Sequence, residues 1–151
     1  MKRSEVERAR QQTLSALHDA GIVLAKDEVI EITDFGKNDF DKLGLGLIIR
    51  VNEQEYASKW LTLKPGQWCP NHYHKLIKET FFVMKGDVQM RIGAKPIEMK
   101  PGDKVTMLPG TWHTFTSMQG AIIEEVTTRQ VADDSYFEDA GIKRYVTLEE
   151  G

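Results

Sequence analysis

The amino-acid sequence predicts an all-β fold, a sandwich or barrel of short antiparallel strands, preceded by one α-helix. Three observations carry this. Ten short runs rich in β-branched and aromatic residues follow one another between residues 29 and 128. A glycine, a proline or a polar turn interrupts them about every 8–12 residues, the rhythm of all-β sandwiches and barrels. No second helix of useful length separates the runs, which disfavours a parallel α/β sheet.

The elements can be justified in order. Residues 4–20 predict the helix. Ser4 followed by Glu7 matches a capping box, in which each side chain bonds the other's free backbone N–H. Val6, Ala9, Thr13, Leu14, Leu17 and Ala20 recur at helical spacing, and Gly21 supplies a left-handed stop. The expected strands are 29–32, 46–51, 56–64, 68–74, 80–84, 88–92, 97–99, 104–108, 112–116 and 121–128. The expected breaks are 51–54, 65–66, 85–87, 93–96, 101–103, 109–110 and 117–120. The polar tail, 131–151, carries an aromatic pair, Tyr136 and Phe137, and is expected to pack over the outside of a barrel formed by residues 45–130.

Composition narrows the function classes. The 151 residues are 40% hydrophobic, enough for one core and one domain over 1–151. A net charge of −3 does not suggest nucleic acid or an anionic membrane surface, both of which favour a basic face. The longest nearly apolar run, Leu43 to Ile49, is far too short to span a bilayer, and residues 1–12 are too polar for a signal peptide. Cys69 is the sole cysteine, so no internal disulfide can form and a reducing cytoplasm is the simplest location.

One constellation carries chemistry. His72 and His74 are two apart, which on a strand puts both imidazoles on one face. Glu79 follows at an odd spacing, so a turn or bulge through 75–77 must return it to the same side. His113 comes from a later strand, after the Pro109–Gly110 turn. Three imidazoles and a carboxylate form a nitrogen/oxygen set suited to one divalent ion: Mn, Fe, Co, Ni, Cu or Zn.

The residues around this set resemble the cupin motifs. Gly66, His72-Tyr73-His74, Glu79 and Gly86 stand at the first motif's spacing, and Gly102 to His113, with Gly110 three residues before the histidine, resembles the second. Two departures concern turns: the second motif's proline comes one place late, at Pro109, and Ser117 replaces the usual asparagine. The resemblance implies a cupin-type double-stranded β-helix, a jelly-roll barrel, with His72, His74, Glu79 and His113 as metal ligands.

A wider stretch, from about residue 45 to 145, resembles the D-lyxose isomerase family. It includes Arg50-Val51-Asn52 with Tyr56-Ala57-Ser58-Lys59, Pro65-Gly66-Gln67-Trp68-Cys69-Pro70, Lys78-Glu79-Thr80-Phe81, the run 120–128 and Asp133-Asp134-Ser135-Tyr136-Phe137. That resemblance implies an aldose–ketose isomerase for D-lyxose and D-xylulose, with D-mannose and D-fructose as a second pair, using manganese ahead of Fe, Co, Ni or Zn. Such a reaction moves a proton between C1 and C2 and needs a base that is not a metal ligand. Glu125 is the candidate. It interrupts a β-branched strand and falls on the family's catalytic glutamate, while Glu124 points to the other face. Lys59 shares a strand face with Ala57, Leu61 and Leu63, an inward apolar face where a lysine is costly. It is expected to bind substrate oxygen or carry a proton. Asp134 is expected to hold substrate or to order the tail over the mouth. In the family a lysine often stands two residues before the glutamate ligand; here that place is Ile77, and the lysine is Lys78. Trp68 and Phe115 are expected in the core, with a sugar-ring wall as the alternative. The rival functions are an iron-dependent cupin dioxygenase and a non-enzymatic sugar- or metal-binding cupin. A homodimer is expected by default, since sheet edges favour pairing.

Overall fold

The computed structural model describes residues 1–129, 131, 133–144 and 148. Among these, α1 (Arg3–Asp19) precedes eleven strands: β1 (Ile30–Thr33), β2 (Leu45–Asn52), β3 (Tyr56–Leu63), β4 (Trp68–Tyr73), β5 (Glu79–Gly86), β6 (Val88–Ile92), β7 (Lys95–Met99), β8 (Lys104–Met107), β9 (His113–Thr116), β10 (Ala121–Thr128) and β11 (Tyr136–Phe137). Two sheets form, with strand orders β1-β2-β3-β10-β5-β8 and β11-β4-β9-β6-β7, and every pairing between these strands is antiparallel.

The helix starts one residue earlier than its sequence suggests. Lys2, not Ser4, is the N-cap, and the Glu5 carboxylate accepts from the Lys2 backbone N–H at 2.7 Å. The chain's amino group lies 3.6 Å from the buried Asp34 carboxylate. The stop is the expected one. Gly21 sits at φ +75°, its N–H bonds the His18 carbonyl, and the Ile22 N–H bonds that of Leu17, a Schellman closure. Val6, Ala9 and Leu17 then pack on Ile30, Ile32, Ile48 and Ile122, the outer face of the six-stranded sheet.

Between the sheets lies the main core, which includes Leu61, Phe81, Val83, Val88, Met90, Phe115 and Ile123. Strict alternation in β10 is what puts Ile123, Glu125 and Thr127 inside while Ile122 faces the helix. Gly86 closes the β5 end. Its φ is +83°, and a Cβ there would stand 1.9 Å from the Gly120 carbonyl oxygen, so no other residue lets β5 and β10 approach this closely.

Four expectations need correction. The break expected over 93–96 is only the turn at 93–94. Pro96 lies inside β7, tolerated because β7 is a sheet edge. The 29–32 region joins the six-stranded sheet as β1, so the barrel begins before residue 45. Trp68 is 43% exposed, on the outward face of β4 rather than in the core, whereas Phe115 is core. The tail does not simply cover the outside. Its aromatic pair forms β11, pairing Tyr136 with Tyr73 and Phe137 with His72, and Phe137 turns inward because the rings of Phe35 and His72 give it aromatic partners. The rest of the tail expectation, at 132, 145–147 and 149–151, lies outside the described residues.

Candidate metal centre

The two sheets contribute different chemistry. Imidazoles come from the five-stranded side. His72 on β4 lies directly opposite His113 on β9, and His74 stands just beyond the end of β4. A bulge makes this possible. The β4–β9 register runs Cys69↔Phe115 and then His72↔His113, so β4 carries one extra residue at Pro70–Asn71. Without it, Cys69 and His72, three apart, would face opposite ways.

Carboxylates come from the six-stranded side. The odd spacing from His74 to Glu79 is resolved by a crossing, not by a bulge within one strand. Residues 74–78 carry the chain from one sheet to the other, and Glu79 opens β5 facing the histidines across the interior. Glu125 on β10 lies directly opposite Lys59 on β3 and Phe81 on β5, so these three share the inner face.

The ligand nitrogens of His72, His74 and His113 lie within 4.8 Å of one another. Each ring is oriented by its other nitrogen. The Nδ1–H of His72 donates to the Pro70 carbonyl at 2.8 Å, that of His74 to Asp134 at 2.9 Å and that of His113 to Thr111 at 3.0 Å. A neutral imidazole whose Nδ1 donates has its lone pair on Nε2, here aimed at the shared centre. Glu79 Oε1 stands 3.1 Å from His74 Nε2, and Glu79 Oε2 stands 3.2 Å from His113 Nε2. Buried Glu79 Oε2 and His113 Nε2 nevertheless have no hydrogen-bond partner. Such orphaned atoms are costly unless something else satisfies them. A divalent cation does so, and the donor set fits one.

The electrostatics agree. Burial, with the neighbouring His113 and His74, lowers the His72 pKa to about 3, which keeps it a neutral ligand. Burial would raise Glu79, but the imidazoles of His113 and His74 at its two oxygens hold it well below the usual carboxylate range. Burial also opposes a charge on His74, yet contact with Glu79 outweighs this and raises its pKa. Glu125 is pushed from 4.5 to about 8, first by burial, then by the charge of Glu79 and the hydrogen bond to it; Lys59 pulls the other way. Two carboxyl groups sharing a buried chamber is an arrangement that a bound cation relieves.

His72, His74, Glu79, Glu125 and Lys59 line a cavity of about 750 Å³, within the range of small-molecule sites. Leu61, Phe81, Phe115 and Cys69 form apolar wall beside this cluster, and further charged side chains, among them Arg3, Arg10, Glu31 and Arg144, also line the cavity. Ile77 lines the cavity, whereas Lys78 is exposed, so the one-residue shift read from the sequence does turn that lysine away. Asp134 is not among the lining residues. Its carboxylate oxygens accept from the backbone N–H groups of Lys75 and Leu76, each at 3.0 Å, so the side chain is engaged with the 74–78 crossing rather than with the cavity. Phe137 and Phe35 also line the cavity, and sequence reasoning missed both; the aromatic pair in the tail was the only signal for Phe137.

A cupin domain model matches residues 59–121. The D-lyxose/D-mannose isomerase of Thermosediminibacter oceani is 31% identical over 180 residues, covering 99% of each chain. The chain belongs to the D-lyxose isomerase family. A second member of that family, the D-lyxose ketol-isomerase of Thermofilum sp., is 29% identical over 92% of this chain and 94% of its own length. Among solved structures, the L-ribose isomerase of Cellulomonas parahominis superposes with a TM-score of 0.81 at 12% identity, over 99% of this chain and 98% of that one. At that identity the likeness speaks for the cupin fold alone. As a family member the protein is a sugar isomerase.

Proposed function

We propose that this protein interconverts D-lyxose and D-xylulose, with D-mannose and D-fructose as a second pair, using one divalent ion held by His72, His74, Glu79 and His113. Manganese is the first choice, with Fe, Co, Ni or Zn as the other ions this ligand set accepts. The observation that carries the reading is Glu125, a buried carboxylate beside the ligand cluster and directly opposite Lys59. A metal-binding protein needs no such pair, and neither does an iron-dependent dioxygenase. The names of the curated relatives support the choice of sugars.

When bound, the ion polarises the sugar oxygens at C1 and C2 and so acidifies the neighbouring C–H. Glu125 takes the C2 proton of the aldose, exchanges it with solvent, and delivers a proton to C1 of the enediol, giving the ketose. Lys59 binds a substrate oxygen and can move the hydroxyl proton between O2 and O1. Apolar wall from Phe81, Phe115 and Leu61 limits water around the transfer. The same proposal includes one domain over 1–151, a homodimer and a cytoplasmic location. No helix among the described residues is long and apolar enough to cross a membrane.

The test is incubation of the manganese-loaded protein with D-lyxose, D-mannose and related sugars in heavy water. D-xylulose carrying deuterium at C1 is the expected product of D-lyxose. Failure to form a ketose from any of them, with oxygen uptake by the iron-loaded protein instead, would overturn the reading in favour of a dioxygenase.

A further inference from the structure

Asp134 is 3% exposed and belongs to no strand. It grips three consecutive residues. Its carbonyl accepts from His74 Nδ1 at 2.9 Å, its Oδ1 from the Lys75 N–H at 3.0 Å and its Oδ2 from the Leu76 N–H at 3.0 Å. Bonds from backbone N–H to a carboxylate are about twice as strong as neutral ones. The gripped residues open the 74–78 crossing, which has His74 at its head and runs into Glu79. The position of that crossing sets the separation of two ligands that come from opposite sheets.

The strap bearing Asp134 is itself anchored. Asp133 adopts φ +60°, a left-handed conformation that aspartate tolerates better than most residues with a Cβ and that turns the chain into the strap. Three residues on, β11 pairs with β4, and Phe137 lies 5.5 Å from the His72 ring, centroid to centroid. Two of the three imidazoles are therefore backed by one short segment, 134–137.

We propose that Asp134 is a positioning residue for the cation: it fixes the crossing between His74 and Glu79, so metal affinity depends on a side chain that never touches the metal. This rests on the reading of His72, His74, Glu79 and His113 as ligands, and extends it to a residue sixty positions away in sequence from His74. Its side chain acts through the backbone of Lys75 and Leu76, and its carbonyl acts on the His74 ring.

The experiment compares the full-length wild type with Asp134→Ala and Asp134→Asn. Manganese affinity is measured by calorimetric titration, Co²⁺ coordination by visible absorption, and metal-free stability by thermal unfolding. Alanine keeps the carbonyl that holds His74 Nδ1 but removes both carboxylate bonds that fix the crossing. A weakening of about 10-fold, the low end of what loss of a ligand's direct outer partner costs, is expected, with an altered Co²⁺ spectrum. Asparagine keeps one acceptor but turns an NH₂ toward a backbone N–H, so it too is expected to weaken binding. If alanine prevents folding, the isosteric asparagine decides. Wild-type affinity and an unchanged Co²⁺ spectrum in the folded variants, even with a lower melting temperature, would reduce Asp134 to a purely structural tie and overturn the proposal. A wild-type protein that binds neither Mn²⁺ nor Co²⁺ would instead sink the metal-site reading itself.

Discussion

Glu125→Gln is expected to lower turnover of D-lyxose by about 10²–10⁴-fold, the usual contribution of a positioned general base, while metal content stays at that of the wild type. Glutamine keeps the shape of the side chain and its place opposite Lys59 and Phe81, but it cannot accept and return a carbon-bound proton. Steady-state kinetics together with elemental analysis check both halves. A variant that loses its metal would show that Glu125 is a ligand, and the base would have to be sought elsewhere. The same substitution has a signature in the metal-free protein. Glu125 rises from 4.5 to about 8 on folding, so between those values the folded chain binds more protons than the unfolded one. Stability contributed by this group therefore falls as pH rises through that window, and glutamine should remove that slope.

His113→Ala is expected to weaken manganese binding by more than the roughly 100-fold that marks loss of an outer-shell partner, because it deletes a ligand atom outright. His113 is 1% exposed, and its Nε2 faces Glu79 Oε2 without another partner. Thermal unfolding gives the readout. A ligand that binds only the folded state stabilises it by about 2.7 kcal/mol at a hundred times its Kd. Wild-type protein should show that rise with Mn²⁺, and His113→Ala should show almost none at the same concentration. Equal rises in both proteins would mean that the ion sits elsewhere.

Much of this was legible in the sequence because it is written in local periodicity. The helical stripe from Val6 to Leu17, the alternation along β10 and the glycine at each tight turn are all signals over a few residues. They locate strands and faces; which of Glu124 and Glu125 turns inward was implied by the family resemblance, since apolar residues stand on both faces of β10. The histidine pair and Glu79 were legible for the same reason, since their spacing is short and a turn between them was required. What escaped is encoded at long range or by a single extra residue. The bulge at Pro70–Asn71 rephases β4, so simple alternation misjudges the residues before it, Trp68 among them. The grip of Asp134 on Lys75 and Leu76 spans 59 and 58 positions and is made to backbone, so no side-chain pattern announces it. Phe137 reaches the cavity only because β11 adds to the sheet edge beside His72, a two-residue pairing too short to be read as a strand.

The central claim is that side chains from the two facing sheets meet around one cation. Anomalous diffraction at the manganese edge, from crystals grown with Mn²⁺, measures this directly. One strong peak is expected, coordinated by Nε2 of His72, His74 and His113 and by the Glu79 carboxylate, with Glu125 nearby but not bonded to it. A peak bound by other residues, or imidazoles turned away from an empty interior, would contradict the account.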